Sequence, residues 1–280
     1  MLQSSRCSLR RSRTFLKGIF QVEIEKINVR GVNISNVNID EATEFIKENL
    51  KVGIQTAVYT PNAEIVQLCI NDADFCKLIN SAELVVPDGV GVVKAARILG
   101  TPLKGKVAGI ELGERVLEAA AESGAGVFLF GGSDESRTPS GVSVADQCKK
   151  VFEEKHPGIK IAGTRHGYFK KEGEENNETL RLINESGAEI LFVCLGAPLQ
   201  EKWIAANREK LPNVKVFLGL GGSLDVYSGN LKRAPKLFIS LGLEWFYRLL
   251  CEPRRIGRMM SLPKFYFGTW RCKISGKKSK

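Results

Sequence analysis

Asp88 has the setting of a residue that does chemistry. It follows Pro87 at the end of an apolar run and is flanked by Gly89 and Gly91, so its carboxylate should project from a strand end to a place that a backbone or ligand can approach closely. A carboxylate buried there can act as a general base, since desolvation raises its proton affinity toward a useful range. The competing use is the N-cap of a helix starting near Val90. Thr60 and Asn62, in Tyr59-Thr60-Pro61-Asn62, offer a hydroxyl and an amide to orient a sugar, or else helix caps. Gln200 and Glu201, after Ala197-Pro198, open a helix whose first turn points at the same edge, where Glu201 could do no more than satisfy the helix dipole. Asp72-Ala73-Asp74 matches a metal-binding D-x-D only superficially, because it lies between two helical segments and reads as a cap. His166 reads as a turn or packing residue. Arg255 and Arg258, three apart after Pro253, share a face if a helix resumes there, with Arg248 one or two turns earlier.

The elements that must position these residues are legible as alternating short apolar runs and longer amphipathic ones from about Ile27 to Leu224, the βαβ signature of an α/β fold with a parallel sheet covered by helices. Strands are predicted near Thr56–Tyr59, Leu84–Val86, Val127–Phe130, Lys160–Gly163, Ile190–Leu195 and Val214–Leu218. Helices are predicted from Ala63, Val90, Leu112, Val144, Glu174, Leu199 and Lys236, with a surface loop over Ser133–Ser143. Five strands run into polar or glycine-rich turns: those of Thr60 and Asp88, then Gly131-Gly132, Gly196-Ala197-Pro198, and Gly221-Gly222. In a parallel sheet these turns converge on one crevice, where bare backbone and helix N-termini suit a diphosphate.

Charge is distributed unevenly. Residues 229–280 hold 13 Lys or Arg against Glu244 and Glu252, a net +11 in a chain of +10, and the first twenty residues add five more basic residues. The body at 21–228 is therefore acidic, at −6. The tail also holds 8 of the 22 aromatics, a basic and aromatic surface suited to an anionic membrane. No stretch reaches the roughly 18 to 20 apolar residues that span a bilayer, and the basic N-terminus has no apolar segment of the kind secretory signals carry. Seven cysteines without a C-x-x-C pair, and only two histidines, indicate neither a disulfide framework nor a metal centre, and fit a reducing cytoplasm.

Taken together, Asp88-Gly89 with its glycine-spaced helix, Gly163 to Phe169, Gly196 to Trp203, Arg233-Ala234-Pro235, and Gly242 to Arg248 continuing to Glu252-Pro253-Arg254-Arg255 resemble the WecG/TagA/CpsF glycosyltransferase family. The resemblance runs from about Ile27 to Leu262. Within the family the chain looks most like members that transfer N-acetylmannosamine in wall teichoic acid synthesis. It implies a Rossmann-like core of the type called GT-E with helices on both faces of the sheet, and a helical C-terminal appendage. It implies an inverting, metal-independent transfer, with no cofactor, from UDP-ManNAc to the 4-hydroxyl of GlcNAc in undecaprenyl-diphosphate-GlcNAc, at the cytoplasmic face of the membrane. Carried over by motif, Asp88 would be the base, Thr60 and Asn62 active-site polar residues, Gln200 a substrate contact, and Arg248, Arg255 and Arg258 appendage arginines near the diphosphate, Arg255 foremost. Gly131, Gly132, Gly221 and Gly222 would line the substrate site. The expected division is a basic, poorly ordered extension at 1–26, a core at 27–228 and a membrane-associating appendage at 229–280, which covers the site of its own subunit or that of a neighbour in a homo-oligomer.

Lys106-Val107-Ala108-Gly109-Ile110-Glu111 departs from the Arg-Val-Thr-Gly-x-Asp common in the family, so no role is carried over to Glu111. Another donor, UDP-ManNAcA or a UDP-hexose, is the alternative within the family, since epimers differ by groups that a few side chains read. A dinucleotide-dependent oxidoreductase would need a G-x-G-x-x-G after the first strand, which is lacking. A nucleic-acid-binding protein would explain the tail but not the acidic body, so no nucleic acid is expected as a partner.

Overall fold

The computed structural model describes residues 24–240, 243–251, 256–259 and 261–275. Six strands, β3 (Thr56–Tyr59), β4 (Leu84–Val85), β5 (Gly126–Gly131), β6 (Lys160–Arg165), β7 (Ile190–Cys194) and β8 (Val216–Gly219), form one sheet in the order β4-β3-β8-β7-β5-β6. Every pairing in it is parallel. Ahead of the sheet, β1 (Lys26–Val29) and β2 (Val32–Ser35) form a separate antiparallel hairpin.

The central strands are apolar at nearly every position because both faces are covered. Ala57, Tyr59, Phe128, Phe130, Leu191, Val193 and Phe217 belong to one core. Their alternating neighbours Val58, Val127, Leu129, Ile190, Phe192, Val216 and Leu218 belong to the other.

On the second face lie α1 (Ile39–Val52), α5 (Gly109–Ser123), α6 (Val144–Lys155) and the short α9 (Ser223–Tyr227). On the first lie α2 (Ala63–Asn71), α3 (Ala73–Asn80), α4 (Val90–Leu99), α7 (Gly173–Ser186) and α8 (Leu199–Asn207). The tail adds α10 (Lys236–Ser240), α11 (Glu244–Cys251), α12 (Ile256–Met259) and α13 (Ser261–Ile274). The last packs on α2 and α4, with Phe265 and Thr269 fully buried.

Three departures from the sequence reading bear on the site. The hairpin and α1 were not among the predicted elements. Helix α5 begins at Gly109 rather than Leu112, because that glycine lets the first turn press onto Thr60: a Cβ there would come within 3.2 Å of the Thr60 hydroxyl. The loop before α6 holds one short helical turn at Glu135–Arg137 and ends at Ser143, whose hydroxyl accepts from the Asp146 N–H.

Candidate active site

Because the six strands are parallel, their carboxyl ends share one edge, and the turns picked out in the sequence lie along it. The chain leaves β5 toward β6 but leaves β7 toward β8, in opposite directions, so a crevice opens between these two neighbours. Gly131 and Gly132 form its floor. The Gly132 N–H donates to the Cys194 carbonyl at 3.4 Å, and the Gly167 N–H donates to the Gly132 carbonyl at 2.8 Å. Gly131 has φ 135° and lies so close to β7 that a Cβ would stand 2.2 Å from the Cys194 oxygen. Gly131→Ala should therefore destabilise the chain by about 3 kcal/mol, roughly 5–10 °C in Tm at this size; an unchanged melting curve would show that the strand ends can part freely.

Asp88 is held from both sides by backbone. The Val86 N–H donates to the Tyr59 carbonyl at 2.9 Å, the Asp88 N–H to the Pro61 carbonyl at 3.2 Å, and the Val107 N–H to the Pro87 carbonyl at 3.0 Å. The N-cap position of α4 is Gly89, one residue beyond. Asp88 is half-buried rather than buried, a correction to the sequence expectation that follows from its place on a turn at the sheet edge. Asn62 does cap: its side-chain oxygen accepts from the Ile65 N–H at 3.0 Å. Thr60 is buried, and its hydroxyl donates to the Gly219 carbonyl at 2.9 Å, tying the β3 turn to the end of β8. Thr60, Asn62 and Asp88 thus sit on adjoining turns beside the N-termini of α2, α4 and α5. The starts of α4 and α5 have no side-chain cap, so their first N–H groups can serve an anionic ligand.

On the other side of the edge Gln200 is 2% exposed. Its amide oxygen accepts from the Gly221 N–H at 2.8 Å and its amide nitrogen donates to a Glu201 oxygen at 2.8 Å. Glu201 is fully buried, and that burial pushes its pKa up. The sequence reading left Glu201 as a residue that could simply satisfy the helix dipole; the structure buries Gln200 and Glu201 while Leu199 before them and Lys202 after them stay exposed, so only the inward side of this turn is sealed.

The remaining sequence candidates are occupied within their own turns, Asp72 and Asp74 away from the crevice and His166 beside its floor. Asp72 caps α3 by accepting from the N–H groups of Asp74 at 3.1 Å and Phe75 at 2.9 Å, and Asp74 pairs at the surface with Lys77 at 2.9 Å. His166 accepts from the Tyr168 N–H at 3.3 Å within its own turn.

The tail returns to the site. Lys106 pairs with Glu244 at 3.0 Å and Glu111 pairs with Arg233, so two of the three departures from the family pattern contact the tail. A cavity of about 100 Å³ lies between α5, α9 and α11, lined in part by Gly222, Asp225, Arg233 and Tyr247. Helix α13 runs alongside α4 in the same direction: the Tyr266 hydroxyl lies 3.5 Å from where a Cβ of Gly91 would be, and Lys273 Nζ 3.1 Å from that of Gly100. Its first residue is therefore at the edge that carries Asp88, with α12 just before it. Arg248 falls in α11 and Arg258 in α12, though their side chains, and the whole of Arg255, lie outside the described residues. No helix among the described residues is long and apolar enough to cross a membrane.

The model of the glycosyl transferase WecG/TagA/CpsF family matches residues 27–279. An N-acetylglucosaminyldiphosphoundecaprenol N-acetyl-beta-D-mannosaminyltransferase of Staphylococcus aureus (strain MRSA252) is 34% identical over 263 residues, covering 91% of this chain and 98% of that enzyme. The enzyme of the same name from Bacillus subtilis (strain 168) is 33% identical over 238 residues, covering 85% of this chain and 88% of its own length.

Proposed function

The chain belongs to the WecG/TagA/CpsF glycosyltransferase family, and from that we propose that it moves N-acetylmannosamine from UDP-ManNAc to the 4-hydroxyl of GlcNAc in undecaprenyl-diphosphate-GlcNAc, inverting the anomeric centre to a β-1,4 linkage. The names of the relatives supply the transferred sugar and the lipid-linked acceptor. What carries the reading on this chain is the stapled turn that sets Asp88 beside Thr60 and Asn62, next to helix N-termini whose N–H groups can meet a diphosphate.

In the proposed reaction Asp88 takes the proton of the acceptor hydroxyl as its oxygen attacks the anomeric carbon, and UDP leaves from the opposite face. The NH2 end of the Asn62 amide, whose oxygen is spent on the cap, and the Thr60 oxygen orient the sugar. Negative charge building on the leaving diphosphate is met by the open N-termini of α4 and α5 and by the appendage arginines Arg248, Arg255 and Arg258. The D-x-D is spent on a cap and a surface ion pair, so transfer is expected to persist in EDTA. Loss of turnover on chelation, restored by Mg²⁺ or Mn²⁺, would overturn that part.

Docking to the anionic inner face of the cell membrane brings this edge to a lipid-linked acceptor. The decisive experiment is turnover of UDP-ManNAc, UDP-GlcNAc and UDP-ManNAcA with a soluble analogue of undecaprenyl-diphosphate-GlcNAc. UDP-ManNAc should be preferred; preference for UDP-ManNAcA or a UDP-hexose would place the chain elsewhere in the family.

A further inference from the structure

Glu201 is a carboxyl group fully buried in the first turn of α8, where an acid serving only the helix dipole would face water. One of its oxygens accepts from the Gln200 amide nitrogen at 2.8 Å, and the other, Oε2, has no hydrogen-bond partner among the described residues. Groups buried at this cost are kept where they fix something.

What this one fixes is the direction of a side-chain amide. The two ends of the Gln200 amide face opposite demands: its nitrogen meets an acceptor on Glu201, and its oxygen meets the Gly221 N–H at 2.8 Å. Were the amide turned over, its NH2 would face the Gly221 N–H and its oxygen would face the Glu201 oxygen, and both bonds would be lost. The same amide packs against the end of β8, 3.0 Å from where a Cβ of Gly219 would be, and the Gly219 carbonyl is the group that accepts from Thr60.

We propose that Glu201 is a positioning residue: it locks the Gln200 amide in the orientation whose oxygen anchors the Gly221 N–H, and so sets the β8–α9 turn on which the UDP-sugar rests. Glu201 does not touch substrate, being sealed from the crevice, and acts through Gln200. The second half of the proposal rests on the proposed transferase function and on the expectation that Gly221 and Gly222 line its substrate site; the first does not.

The test compares Glu201→Gln, which keeps the length and an acceptor oxygen, with Glu201→Leu, which has no acceptor. The first readout is hydrogen exchange at the Gly221 amide, which needs no substrate. It should speed up at least tenfold in Glu201→Leu and stay within about threefold of wild type in Glu201→Gln. The second is steady-state transfer with whichever UDP-sugar the wild type uses: Glu201→Leu should raise the donor KM about tenfold and leave the acceptor KM unchanged, and Glu201→Gln should restore it. Adding Glu201→Leu to Gln200→Leu should cause no further loss. If Glu201→Leu does not fold, Glu201→Met, of similar length, takes its place.

Unchanged Gly221 exchange in a folded variant without the acceptor overturns the proposal, as does a Glu201→Gln protein as impaired as Glu201→Leu. A wild type that turns over no UDP-sugar overturns the functional reading instead, while the exchange measurement still decides the role of Glu201.

Discussion

Asp88→Asn is expected to leave the chain folded and able to bind UDP while lowering turnover by roughly 10² to 10⁴, the usual worth of a positioned base. The substitution is nearly isosteric, and the turn that presents the side chain is held by backbone bonds at Val86, Asp88 and Val107 that do not depend on the carboxylate. Melting temperature and UDP affinity should thus stay close to wild type. Asparagine keeps a hydrogen-bond acceptor but cannot take the proton that the acceptor hydroxyl must lose, so the loss should fall on kcat. A folded Asp88→Asn protein with wild-type rates would remove Asp88 from the chemistry. A variant that instead melts far below wild type would recast the carboxylate as a structural anchor of the turn.

The reason Asp88 could be singled out beforehand is that the strand-to-turn transitions are written in local chemistry. Leu84 to Val86 is apolar because it is buried on both faces of the sheet, and Pro87 and Gly89 end the run abruptly. The same contrast marked Thr60, Gly131, Gly196 and Gly221, and all of these lie on the one edge that a parallel sheet requires. Long-range pairing left no such trace: nothing local to β3 and β8 says that they are neighbours, although that adjacency brings Thr60 to the Gly219 carbonyl.

Helix α1 carries a local signal of its own. Asn38 and Glu41 form a reciprocal capping box, and Ala42, Ile46 and Asn49 mark its buried stripe. The hairpin was harder, since its strands are four residues long and alternate with asparagines. Helix α13 illustrates a different limit. Its basic and aromatic composition pointed outward to a membrane, yet Phe265 and Thr269 are buried against α2 and α4 and take no part in any external surface.

That division within α13 allows anchoring and catalysis to be separated. Phe267, Trp270 and Ile274 lie on one side of the helix and are 73%, 55% and 83% exposed, with Lys264 and Arg271 also at the surface. Replacing the three by serine removes apolar groups worth roughly 1.5 kcal/mol each, about tenfold, when buried in an interface. Liposome binding should fall at least 10²-fold, and turnover of a soluble acceptor should stay near wild type, because none of the three packs on the core. The arginines should behave in the opposite way. Helix α13 starts at the edge that carries Asp88 and α12 directly precedes it in the chain, and the proposed function assigns Arg255 and Arg258 to the leaving diphosphate. Removing one charge from a leaving-group contact costs roughly 10² to 10³ in rate, so Arg255→Ala and Arg258→Ala should lose that much on the soluble acceptor, where membrane docking is irrelevant. Truncating the tail at Ser228 would not give this answer, since it also strips Phe265 from the core and confounds activity with folding. If both arginine variants match wild type on the soluble acceptor and lose only liposome binding, the tail is an anchor alone, and the departing UDP must be met by the N-termini of α4 and α5.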